Sequence, residues 1–154
     1  MDGRPVITHV IDTLKSLDFI SKVYVSTDDS AIADIATAAG ALCLGPRAAE
    51  LANDKAGFAE LIHQDIPRHV KHCGDGQVLF ALATAALVPA DIYQQAWQIF
   101  GSSRPDILMS CEKAHPFWAM TQKADGFWWP IFPEKVLTNS QDLPPSLIDA
   151  GLFY

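Results

Sequence analysis

Residues 22–30 read Lys22-Val23-Tyr24-Val25-Ser26-Thr27-Asp28-Asp29-Ser30. The first six carry β-branched and aromatic side chains and predict a short buried strand. Asp28, Asp29 and Ser30 follow with side chains that cap a helix, and Ile32, Ile35 and Ala36 recur at helical spacing behind them. Gly40 stops that helix. Strand, cap and helix in immediate succession form the unit from which α/β folds are built.

The same alternation extends in both directions. Upstream, Val6, Val10, Ile11, Leu14 and Leu17 fall on one helical period, and Pro5 stands where a first-turn proline is tolerated. Downstream, strands are predicted at 41–44, 77–83 and 107–110. Helices are predicted over 55–72, where Pro67 is a disturbance, and over 89–100. Elements alternating every 10 to 15 residues or so indicate a mainly parallel sheet covered by helices. The expected fold is an α/β three-layer α/β/α sandwich in one domain, 1–154. Within it, 113–135 is expected to form a protruding β-hairpin: Phe117 to Gln122 and Phe127 to Phe132 are aromatic-rich and flank Asp125-Gly126. Three of the four tryptophans lie there, more aromatic surface than one hairpin buries alone, so a second copy of the protein is the expected cover. The last apolar run, from Ala150 to Tyr154, reads as the opening of a buried strand.

Composition limits the function classes. A hydrophobic fraction of 49% against 19% charged residues in a 154-residue chain is globular. The formal charge of −7 argues against a general nucleic-acid binder. No run approaches the roughly 20 apolar residues of a bilayer span. Cys43, Cys73 and Cys111 are odd in number and widely spaced, which fits a reducing cytoplasm and neither a disulfide framework nor a zinc ribbon.

Few residues declare chemistry by themselves. His69, His72 and Cys73 share a helical turn, as metal ligands would, but a solvated helix end explains them better. Asp28 and Asp29 resemble a carboxylate pair, yet capping accounts for them. Arg47 follows Gly45-Pro46 in a loop after a strand, where ligands of open α/β sheets gather. Its guanidinium there is either a bidentate partner for phosphate or carboxylate, or an ordinary surface arginine. Neither a Gly-x-Gly-x-x-Gly nor a Walker-type loop occurs.

Four segments in order, Arg4-Pro5-Val6-Ile7, Val23 to Asp29, Ala48-Ala49-Glu50-Leu51 and Thr138-Asn139-Ser140-Gln141-Asp142-Leu143, together with the closing Asp149-Ala150-Gly151-Leu152-Phe153-Tyr154, resemble the acylneuraminate cytidylyltransferases. The resemblance is nearest to their pseudaminic acid branch. It implies transfer of CMP from CTP to a nonulosonic (pseudaminic or sialic) acid with release of pyrophosphate, with magnesium (Mg2+) as the family's cofactor and a homodimer formed through the hairpin. Carried over residue by residue, it places Arg47, Asp54, Gly57, Thr84 and Ala85 at the nucleotide, and Gln141, Asp142 and Tyr154 at the sugar. No catalytic residue and no metal ligand is carried over. The family's glycine-rich phosphate loop and its Asp-x-Asp pair have no counterpart here. Ala48, Phe58, Ala86 and Asn139 replace a proline, a threonine, a proline and an arginine of the pattern. The expectation is a cytidylyltransferase-like chain that is truncated and inactive alone; the alternative is a non-catalytic binding or dimerisation module derived from that family.

Overall fold

The computed structural model describes residues 3–71 and 76–153. The chain divides into two compact units, one formed by residues up to Leu108 with the segment from Leu152, the other by Met109–Gly151.

The first unit opens with helix α1, Val6–Lys15, directly after Pro5. Pro5 supplies no N–H but offers its carbonyl, which accepts from the Thr8 backbone N–H at 3.1 Å and from Thr8 Oγ1 at 2.7 Å. Two faces of α1 are buried in two directions. Val10 and Leu14, with Leu17 just beyond the helix, join Ala85, Val88, Tyr93 and Phe153 in one core cluster. Ile11, backed by Ile7, packs with Ala36 and Ala41 in another. Helix α2, Ser30–Ala38, starts as its sequence requires: Asp29 Oδ1 accepts from the N–H groups of Ala31 (2.7 Å) and Ile32 (3.2 Å).

The strand predicted at 22–27 and the one at 41–44 lie side by side, joined by a parallel bridge between Tyr24 and Leu42. Val25 N–H donates to Leu42 O, and Leu42 N–H donates to Val23 O, both at 2.9 Å. This is the one parallel pairing among the described residues; the segment 77–83 contributes an antiparallel bridge from Ala81 to Phe153. Phe153 is buried and its ring lies 5.0 Å from that of Tyr93, so the closing apolar run does enter the core.

The long helix predicted over 55–72 is broken into three. Short helices α3, Phe58–Glu60, and α4, Ile66–Val70, flank a π-helical turn at Leu61–Asp65. Pro67 supplies the reason: it cannot donate to residue 63 and its ring crowds that carbonyl, so the preceding turn widens. Helix α5, Ala90–Ser103, runs three residues past its predicted end and stops at Arg104, whose φ of 47° is left-handed.

The second unit holds two small antiparallel sheets. Pairing begins at Cys111 rather than in the predicted 107–110: β1, Cys111–Ala114, pairs with the later β4, Ser146–Asp149, placing Cys111 opposite Asp149 and Ala114 opposite Ser146. The hairpin forms from β2, Met120–Gln122, and β3, Trp128–Pro130, with Thr121 opposite Trp129. Its connection is a three-residue loop. Gly126 N–H returns to Lys123 O at 2.9 Å, Lys123 N–H donates to Phe127 O at 3.0 Å, and Gly126 has φ 84°. That is a type I turn followed by a left-handed residue, which demands glycine at 126. Asp125 Oδ1 accepts from Phe127 N–H at 3.0 Å and stiffens the tip. Trp128 and Trp129 point to opposite faces and both are largely exposed, at 62% and 48%.

Candidate functional site

The loop that carries Arg47 is built from both sides. On one side, Arg47 N–H donates to Thr27 O at 2.9 Å, its Nε donates to Ser26 Oγ at 3.0 Å, and its terminal nitrogen donates to Ser26 O. The guanidinium is therefore fixed at the carboxyl end of the 22–27 strand, half-buried, where a surface arginine would have been free in solvent. On the other side stands Arg68 of α4, which donates to Leu44 O at 2.8 Å and to Pro46 O at 3.0 Å. Between them Gly45 turns with φ 93°.

Beyond this loop, a one-turn 3-10 helix at Ala49–Leu51 buries Leu51. Asn53 then organises the next turn, donating to Glu50 O at 2.7 Å while its Oδ1 accepts from Lys55 N–H (2.8 Å) and Ala56 N–H (3.1 Å). Asp54 is exposed on that turn. Gly57 N–H is held by Glu60 Oε2 at 2.9 Å, and a Cβ at Gly57 would collide with that same oxygen at 2.9 Å. Phe58, where the family pattern has threonine, sets its ring edge-on to Phe80 at 6.0 Å. Thr84 is exposed on a turn, whereas Ala85 is buried: its side chain belongs to the core, its N–H donates to Leu82 O at 3.0 Å and its carbonyl accepts from Val88 N–H at 3.1 Å.

Gln141 and Asp142 lie in the second unit on a 3-10 turn, Ser140–Asp142, and both are exposed. Asn139 Nδ2 donates to Asp142 Oδ2 at 3.3 Å, and Ser140 Oγ to Gln141 Oε1 at 3.4 Å. Tyr154 lies outside the described residues, as do His72 and Cys73. The residues expected at the nucleotide thus share one unit, and the described residues expected at the sugar lie in the other.

Sequence reasoning missed Asn53, Asp65 and Arg68. Asp65 is buried and faces two side chains of α4, with His69 Nε2 at 3.4 Å from Oδ2 and Arg68 at 3.9 Å from Oδ1. His69 is 12% exposed, with the Tyr24 ring 5.7 Å away, so for His69 the reading of a solvated helix end is corrected, while Lys71 beyond it is exposed. Asn53 had a local signal, since an Asn-Asp-Lys sequence favours a turn closed by the first side chain. Arg68 had none, because its partners lie 22 and 24 residues away.

Among the described residues no group of three or more His, Cys, Asp or Glu side chains is arranged to hold a metal ion. A cavity of about 570 Å³ in the first unit is lined by Phe19, Ile62, Phe80, Tyr93 and Trp97 among others. None of the predicted site residues borders it, and its apolar wall offers little to a triphosphate.

A family model described as Cytidylyltransferase matches residues 1–107, more than half of the chain. The chain belongs to the cytidylyltransferase family. Within that family it is similar to the pseudaminic acid cytidylyltransferase of Campylobacter jejuni subsp. jejuni serotype O:2, with 28% identity over 156 residues, 99% of this chain and 67% of that protein. The likeness supports the pseudaminic branch of the acylneuraminate cytidylyltransferases. Among the described residues of this cytidylyltransferase chain, no helix is long and apolar enough to cross a membrane.

Proposed function

We propose that this chain carries the nucleotide side of a CMP transfer from CTP to a nonulosonic acid of the pseudaminic class. The observation that carries the reading is the family match over 1–107, because it spans the loop in which Arg47 and Arg68 bracket a single turn. The anomeric hydroxyl of the sugar attacks the α-phosphate in line and pyrophosphate leaves, so the protein's share of the work is positioning and charge stabilisation. Arg47 offers cationic charge to the phosphates. The turn at Asp54 and Gly57 approach ribose and base, with Thr84 and Ala85 on the facing strand end. Gln141, Asp142 and Tyr154 contact the sugar. The fold we assign to the catalytic form is a three-layer α/β/α sandwich with a mainly parallel sheet, of which the Tyr24–Leu42 pairing is a part. It works in the cytoplasm with magnesium supplied to the triphosphate, as a homodimer joined through the 113–135 hairpin.

A second reading, a non-catalytic binding or dimerisation module derived from the family, is favoured by two observations: the Arg47 guanidinium is already engaged by Ser26, and the Ala85 side chain is committed to the core. Pyrophosphate release measured with CTP, a pseudaminic-type acid and magnesium separates the two. Turnover on the order of 1 per second establishes transfer. CTP binding without release leaves the module, and equal binding of CTP and ATP removes both.

A further inference from the structure

We propose that Arg68 is a positioning residue for the nucleotide loop, acting through Leu44 and Pro46 to set the place of Arg47. Three observations carry this. Its planar guanidinium spans two carbonyls of one turn, Leu44 O at 2.8 Å and Pro46 O at 3.0 Å, a geometry that a lysine's single ammonium cannot reproduce. It lies within van der Waals reach of Gly45, whose φ of 93° turns the chain so that the Leu44 and Pro46 carbonyls face one guanidinium. Arg68 in turn has the buried Asp65 carboxylate behind it, 3.9 Å away on the preceding turn of the same helical segment.

The consequence for an anion is electrostatic. A carbonyl oxygen presented to a phosphate repels it, and two such oxygens, of Leu44 and Pro46, flank Gly45 just before Arg47. Arg68 donates to both, so the charged group that the loop itself has to offer is the Arg47 guanidinium. The Arg47 N–H bond to Thr27 O, at 2.9 Å, then closes the turn on its far side. Leu44–Arg47 is thus held between strand end and α4, and Arg68 is its anchor on the helical side. No spacing rule relates 68 to 44 and 46, and Arg68 stands on α4 just after the π-helical turn at Leu61–Asp65.

The inference rests on the nucleotide reading for its purpose but not for its test. Amide hydrogen exchange of the full chain is compared for wild type and Arg68→Met, which keeps most of the apolar stem and removes the donors. The reference is Leu42 N–H, bonded to Val23 O on the same strand pair. Protection at Arg47 N–H is expected to fall about tenfold or more while Leu42 changes less than about twofold, with Arg68→Lys restoring it only in part. Unchanged protection at Arg47 overturns the proposal. So does a fall of equal size at Arg47 and Leu42, since that is a general structural role. If Arg68→Met loosens Arg47 selectively but CTP affinity is indifferent to Arg47→Met, the positioning role stands and the nucleotide reading fails.

Discussion

At Tyr93 the core holds a hydroxyl that has no hydrogen-bond partner among the described residues, on a side chain only 2% exposed. An unpaired buried hydroxyl costs desolvation and returns nothing, so Tyr93→Phe is expected to leave stability unchanged or raise it by up to about 1 kcal/mol in urea unfolding. A loss larger than that would show that the hydroxyl is satisfied after all. Burial also pushes the Tyr93 phenol above its usual 10.0. The sign follows: the unfolded chain releases this proton near its usual value while the folded chain retains it. Stability is therefore unaffected below about pH 10 and falls as pH rises beyond it, and Tyr93→Phe removes that part of the alkaline loss. At this scale the sequence was most legible where partners are near neighbours. Asp29 caps α2 as its position predicts, and Arg47 stands at the strand end. That Arg47 is gripped by Ser26, or that Asp65 turns inward with His69, depends on contacts no local spacing encodes.

Elements were legible in type more than in extent. Period and capping located α1, α2 and α5, and an Asp-Gly pair between aromatic runs located the hairpin. Its three-residue loop makes a sharp expectation. Gly126→Ala forces an L side chain to φ 84° at an exposed tip with open space around it, so backbone strain of about 1 kcal/mol is the whole cost. Chemical shifts of Lys123 and Phe127 should report local loosening while those of Val10 and Tyr93 stay fixed. Shifts spreading into α1 would contradict that confinement. The 55–72 segment was misread because its apolar pattern is continuous while Pro67 breaks the hydrogen-bond ladder beneath it. Strand β4 was hidden because Ser146 to Asp149 is short, exposed and preceded by two prolines, and it takes its shape from β1 far back in the chain.

For the whole molecule, ordered motifs were more informative than periodicity: they led to the cytidylyltransferase family that the match over 1–107 establishes, whereas the single Tyr24–Leu42 bridge is all the parallel pairing the described residues display. The hairpin bears on assembly. Trp128 at 62% and Phe127 at 71% exposure are unusual on a surface and call for a cover, and a two-fold partner presenting the same hairpin supplies one. Sedimentation at micromolar concentration should show a dimer that Trp128→Glu converts to monomer, and a wild-type monomer would remove the interface. The central claim, that the 44–57 segment and the strand end at Thr84 receive a cytidine nucleotide, is tested most directly by titrating CTP into the isotope-labelled chain and following amide resonances. The account predicts saturable shifts concentrated at Arg47, Asp54, Gly57 and Thr84, weakened about tenfold or more by Arg47→Met. Shifts that are absent, that centre elsewhere, or that survive Arg47→Met unchanged would contradict it.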